Sequence, residues 1–486
     1  MASSKNTSNT ILNNFVWVTI ERIGYLGIQF GTMMILARIL LPSDFGTIAI
    51  LTIFIATSTL IVDCLGGAVI NRSRVTHEDY STLFWYNILV SIIFYWILYG
   101  ISGWISDFYK NSELKSIIRI LSLSFVFYAF AIVQGTQLIK ECKFKKLAII
   151  SLTSQTIASI IAIILSYKGM GVWSLVWMQI CQSLFNSILC FCVNHFIPAL
   201  KFSLSSFKWQ FSFGSFLLLS NFLQVVNLNI YSSIIGKFFP KMTGFYYQSN
   251  RIQSIPIGIL SAIIDKATFP VLSRVEDQRE MKEIAIYTSK YVYMFSFPLF
   301  ILLIITAPSL IRIVLGQQWI EASWIFAILC IAGIPMTLRV VGRNILKSRG
   351  NTAAIFKMEL INTIIGLLII SITIFISFSC MIWGFVISSI IAAYLALYYV
   401  SKTLNYSVLE QLKIAFPFLL ISGICFLVLE FISGILINYN NIALLLIITS
   451  FWFVLITFLS KIFKIPEYQV IEKKIKAVFK RNDSNL

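Results

Sequence analysis

Glu21 and Arg22 stand side by side in the apolar stretch "WVTIERIGYLGIQF", residues 17–30. In hydrocarbon such charges are costly and persist where they pair, face water or serve a function. Two kinds of ion chemistry are open to them. A guanidinium plane binds a phosphate or carboxylate in bidentate fashion, and a carboxylate takes up a proton or a small cation. At about 100° per residue, Asn14, Glu21, Arg22, Tyr25, Gln29 and Thr32 fall within one helical arc of roughly 100°. Gly24, Gly27 and Gly31 fall on another face, where small residues admit a close neighbouring helix. The plainer alternative is a neutral pair that only tethers helices.

Further along, "GFYYQSNRIQSIP" places Arg251 among tyrosines and amides ahead of Pro256. Arg339, Arg343 and Lys347 follow at i, i+4 and i+8, a basic stripe below Gly333 and Pro335 that suits a phosphate-bearing group, with interfacial anchoring as the alternative. Asn221 and Gln224 share a helical face with Ser220, Asn227 and Tyr231, a set suited to sugar hydroxyls or to helix–helix hydrogen bonds. Asp63 joins Glu21 as a candidate for a coupling proton or cation, and Glu430 is a further acid within an apolar run. Cys190, Cys192 and His195 are too few for a structural zinc site and read as packed thiols, so no metal is expected.

The elements that must position these residues are membrane helices. Of 486 residues, 58% are hydrophobic and 12% charged, with a mean hydropathy of +0.86. Soluble domains carry about twice that share of charge. Apolar runs of roughly 20 residues, each able to cross a ~30 Å core, recur along the chain. Fourteen spans are expected, at 11–39, 45–69, 83–105, 117–138, 147–167, 171–196, 211–236, 243–264, 286–307, 322–346, 357–377, 381–400, 414–437 and 442–463. Most of the 38 Lys and Arg residues fall in connections on the side of the two termini, which makes that side cytoplasmic. The net charge of +18 therefore reflects orientation and not nucleic-acid binding. "MASSKNTSNT" reads as a short polar tail leading into a retained first span. In the C-terminal tail, Ile471, Ile475 and Val478 are spaced for one face of a surface helix, or the tail is a simple stop-transfer segment.

No G-x-x-x-x-G-K-[ST], H-E-x-x-H or G-x-S-x-G motif occurs, so an enzyme is not expected. A weak repeat does occur. "ARILLPSDFG" sets Arg38 ahead of Pro42 and Gly46, and six spans later "GKFFPKMTG" sets Lys237 ahead of Pro240 and Gly244. "SRV" recurs at 73–75 and 273–275. Helices six apart run in the same direction, which implies parallel repeats. The expected organisation is a lobe of six helices over 1–210, a second over 211–402, and two added helices with a basic tail over 403–486.

"LARILLPSDFG" resembles the signature after the first span of the polysaccharide transporter family, within the multidrug/oligosaccharidyl-lipid/polysaccharide exporter superfamily. "KECKFKKLA" (140–148), "GMGVWSLV" (169–176), "YYQSNRI" (246–252), "FPVLSRVEDQ" (269–278) and "GQQWIEAS" (316–323) continue the likeness in family order. "KECKFKK" departs from the family's more usual arginine-containing pattern. The resemblance implies a Wzx-type flippase of the inner membrane. Its cargo would be an undecaprenyl-pyrophosphate-linked oligosaccharide, moved by alternating access for O-antigen or another surface polysaccharide. Membrane lipids, a polysaccharide polymerase and a chain-length regulator are the implied partners, with no cofactor beyond H+ or Na+ coupling. Arg22, Arg251 and Arg339 then become candidates for the pyrophosphate on grounds of depth and chemistry. A drug/cation antiporter, a lipid II flippase of the same superfamily, or a membrane polymerase or glycosyltransferase are the alternatives.

Overall fold

The computed structural model describes residues 2–470 and 472, except 73, 195, 273–274, 276 and 437–439. Within those helices, the side chains of 2–13, 15, 71, 213–217, 219–220, 265–267, 269–270 and 352 are also outside the description. His195 and half of the "SRV" repeat (73, 273 and 274) therefore lie outside the described residues, as do Ile471, Ile475 and Val478 of the tail.

Among the described residues the secondary structure is helical throughout, as chain in hydrocarbon must be to satisfy its own backbone. The first unit contains α1 (Ala2–Ile39), α2 (Pro42–Val62), α3 (Gly66–Asn71), α4 (His77–Tyr109), α5 (Glu113–Leu121) and α6 (Leu123–Lys140). It continues with α7 (Phe144–Tyr167), α8 (Val172–Val193), α9 (Leu204–Phe238) and the start of α10 (Pro240–Ala267). The second unit holds the rest of α10, then α11 (Phe269–Leu272), α12 (Gln278–Ile305), α13 (Ala307–Val314) and α14 (Ala322–Ser348). It ends with α15 (Thr352–Thr373), α16 (Phe378–Leu404), α17 (Val408–Ile435) and α18 (Asn441–Ile462).

Eleven of these segments are long and apolar enough to cross a membrane, counting α2 with α3 and α5 with α6 as single spans. The other three expected spans, 11–39, 211–236 and 243–264, fall on the long helices α1, α9 and α10. Local chemistry sets several helix starts. Pro42 occupies the first turn of α2, where its missing N–H costs nothing, and Asp44 accepts from the Leu41 N–H at 3.0 Å. At α4, Asp79 accepts from the Thr76 N–H at 2.8 Å while its own N–H donates to Thr76 Oγ1, a capping box.

The compact units divide between Tyr247 and Gln248. The division falls later than the 210/211 boundary of the sequence repeat because α9 packs on α2, α3 and α4. One core of the first unit gathers Leu51, Leu98, Ile105, Ile117, Phe125 and Val176. The second unit centres on α12, α14, α16 and α17, with Phe297, Leu346, Met358, Ala396 and Phe418 fully or nearly buried. Its last described turns fold back on it: Glu467, 4% exposed, forms an ion pair with Lys290 of α12 at 2.9 Å.

Candidate functional site

In α1 the polar arc divides into parts with different employment. Arg22 is exposed and Glu21 half-buried. Neighbouring residues on a helix point about 100° apart, and among the described residues no ion pair joins these two. The Tyr25 hydroxyl accepts from Gln182 Nε2 at 2.6 Å, tying α1 to α8. Thr32 is buried and returns its hydroxyl to the Ile28 carbonyl at 2.7 Å. The glycine face is used at one point. A Cβ at Gly24 would lie 2.9 Å from the Leu152 side chain on α7, whereas one at Gly27 or Gly31 would meet nothing within 4 Å among the described residues. The expected three-glycine seam is thus a single close approach, at Gly24.

Asp63 lies where the second span breaks, between the end of α2 at Val62 and the start of α3 at Gly66. Its side chain is exposed, hydrogen-bonded to the Tyr128 hydroxyl, with Oδ1 2.6 Å from the place a Gly66 Cβ would occupy. The absence of a side chain at Gly66 is what lets the carboxylate lie back over the break. Beside it Cys64 Sγ meets the Tyr86 hydroxyl at 3.2 Å. Asn87 of α4 and Gln134 of α6 are fully buried, and neither side-chain amide has a hydrogen-bond partner among the described residues.

On α9, Asn221 is exposed and Gln224 half-buried. In the second unit Arg251 is half-buried on α10, one residue before the buried Ile252 and Gln253. Arg339 of α14 is not a free cation. Its Nη2 lies 2.5 Å from Oε2 of Glu359 on α15, with the arginine side chain 23% exposed and the glutamate 4%. Arg343, one turn further, is half-buried, and Lys347 is exposed. Glu430 of α17 is exposed, its backbone carbonyl accepting from Ser433.

Glu359 escaped the sequence reading, although an acid inside the apolar run "FKMELINTIIGLLII" was a legible signal. What could not be read was its partner, 20 residues back on the preceding helix. Gln182 and Tyr128 escaped for the same reason: uncharged side chains become notable only when a neighbour is placed against them.

A family profile described as "Polysaccharide biosynthesis protein" matches residues 35–324, more than half of the chain. The chain belongs to this family. The match begins in α1 before the Pro42 turn and runs into α14, so it takes in Asp63, Asn221, Gln224 and Arg251. Among curated members of comparable length, the lipopolysaccharide biosynthesis protein WzxC of Escherichia coli (strain K12) is 24% identical, covering 71% of this chain and 72% of that one. The succinoglycan biosynthesis transport protein ExoT of Rhizobium meliloti (strain 1021) is 25% identical, covering 74% and 73% respectively. The fold resembles that of a solved structure, that of the lipid II flippase MurJ, with a TM-score of 0.71 at 15% identity over 93% of this chain and 98% of that one. With eleven candidate spans among the described residues, this member of the family is a multi-pass membrane protein.

Proposed function

We propose that the protein is a transporter and not an enzyme. It flips an undecaprenyl-pyrophosphate-linked oligosaccharide repeat unit across the bacterial inner membrane by alternating access, for O-antigen or another surface polysaccharide. The observation that carries this is the family match over residues 35–324, together with the likeness to ExoT, a succinoglycan biosynthesis transport protein. The chemistry is consistent with that cargo. A pyrophosphate keeps its negative charge while crossing a medium of low dielectric, so it needs cationic partners along the way.

In this reading Arg22, Arg251, Arg339 and Arg343 meet the headgroup, each able to engage phosphate oxygens in bidentate fashion. Asn221, Gln224 and Tyr25 serve the saccharide hydroxyls. Glu21 and Asp63 carry the coupling ion, H+ or Na+. The repeating units are 1–210 and 211–402, followed by the helix pair and tail of 403–486. Both termini lie in the cytoplasm, as the Lys and Arg bias favours, and a polymerase and a chain-length regulator act next on the exported unit.

Reconstitution tests the reading. Proteoliposomes containing the purified chain should move a fluorescent undecaprenyl-pyrophosphate-linked oligosaccharide to the opposite leaflet faster than empty liposomes. Equal rates would remove the assignment. Reporter fusions at the C-terminus test the topology: phosphatase activity there, in place of cytoplasmic fluorescence, would reverse it.

A further inference from the structure

The pair formed by Arg339 and Glu359 carries a consequence for how an anion is received and released. Glu359 is more than nine-tenths buried on α15, one of its oxygens holds the guanidinium, and the other, Oε1, has no hydrogen-bond partner among the described residues. A carboxylate in that position is retained at a cost, since its desolvation is compensated through one oxygen only. Arg339 is the more exposed member. The ion pair engages Nη2, and a guanidinium carries five N–H donors, so an approaching anion meets the arginine from its open side.

We propose that Glu359 is the exchangeable counter-ion of Arg339. It occupies the guanidinium in the empty protein and competes for it with the pyrophosphate of the lipid cargo. The proposal rests on the flippase reading and adds a positioning residue to it. In the empty protein Glu359 fixes the arginine and neutralises it, which removes the penalty of an unpaired cation on an apolar helix. When a pyrophosphate arrives, two phosphate groups offer more acceptor oxygens than one carboxylate, and the guanidinium shifts toward them. The returning carboxylate then displaces the headgroup. Affinity is held down so that release stays fast, because a site that binds its cargo too well does not turn over.

The test uses the full chain in lipid nanodiscs, with undecaprenyl pyrophosphate and, separately, inorganic pyrophosphate as probes. Glu359→Gln keeps the size and hydrogen-bonding reach of the side chain and removes its charge. It should bind undecaprenyl pyrophosphate about tenfold more tightly than wild type, with slower export in cells. The gain should vanish in the double variant Arg339→Gln/Glu359→Gln. If Glu359→Gln leaves the affinity unchanged and only lowers the melting temperature, the pair is structural and the proposal fails. Tighter binding of inorganic pyrophosphate without a gain for the lipid overturns the lipid assignment. Should Glu359→Gln not be recovered folded, Glu359→Asp keeps the charge on a shorter arm and is expected to give a smaller gain in the same direction; no gain there overturns the proposal. If wild type itself binds no undecaprenyl pyrophosphate, the flippase reading falls first, and this inference with it.

Discussion

The carbonyl oxygen of Pro42 lies 1.8 Å from the point a Cβ on Gly244 would occupy. Gly46 completes the contact, its own would-be Cβ 3.2 Å from the Gly244 nitrogen. The two P-x-x-x-G turns found as a repeat in the sequence therefore touch one another, at the starts of α2 and α10. Gly244→Ala must push backbone against backbone, and the expected loss of stability is at or above the top of the ~1–3 kcal/mol range for overpacking. Gly46→Ala should lose less. Thermal unfolding in detergent ranks the two, and an unperturbed Gly244→Ala variant would contradict this packing.

Arg22 is exposed, so removing its side chain leaves no buried charge behind. Arg22→Ala should stay within about 0.5 kcal/mol of wild type in stability while surface polysaccharide falls sharply in a complemented deletion strain. Normal polymer at normal expression would exclude Arg22 from the headgroup's route. Arg339→Ala behaves differently, because it strands Glu359 as an uncompensated buried charge, a loss of about 3–5 kcal/mol. A fall in membrane yield should therefore accompany its loss of export.

The bond from Gln182 to Tyr25 joins α8 to α1 inside the first unit. Tyr25→Phe and Gln182→Leu should each cost about 0.6–1.7 kcal/mol, the range for such bonds in membranes. The double variant should cost less than the sum of the two. Full additivity in a double-mutant cycle would mean that the side chains act independently.

Gly333 of α14 sits under the ring of Phe300 on α12, whose Cε1 is 2.3 Å from a would-be Cβ. Gly333→Ala should destabilise by about 1–3 kcal/mol, and adding Phe300→Leu should recover part of that loss by making room. A pair of changes no better than Gly333→Ala alone would show that the strain lies elsewhere.

Glu467 is held by Lys290, and Glu467→Ala leaves that lysine without its partner beside a detached tail. Limited proteolysis should then cut after α18 faster than in wild type, with the transmembrane part intact. An unchanged cleavage rate would mean that Ile465, itself buried, holds the segment alone.

Eleven of the fourteen expected spans are matched by segments long and apolar enough to cross a membrane, and they are legible in the chain alone because crossing is a local requirement, met by about 20 apolar residues in a row. Some ends agree closely, as with 322–346 against Ala322–Ser348, while several helices start earlier than the apolar run does, as with 286–307 against Gln278–Ile305, because a helix continues past the hydrocarbon into polar residues. Deep charges were legible for the same reason: Arg22, Arg251 and Arg339 interrupt apolar runs. The Pro42 and Gly244 turns could be matched by spacing, but not seen to touch. The state of each charge was decided only by tertiary structure. Arg339 is neutralised by Glu359, Tyr25 is tied to Gln182, Asp63 lies over a break opened by Gly66, and Arg22 is left exposed. The physical reason is range: hydropathy is summed along the chain, whereas an ion pair or hydrogen bond acts over about 3 Å between residues that only packing brings together.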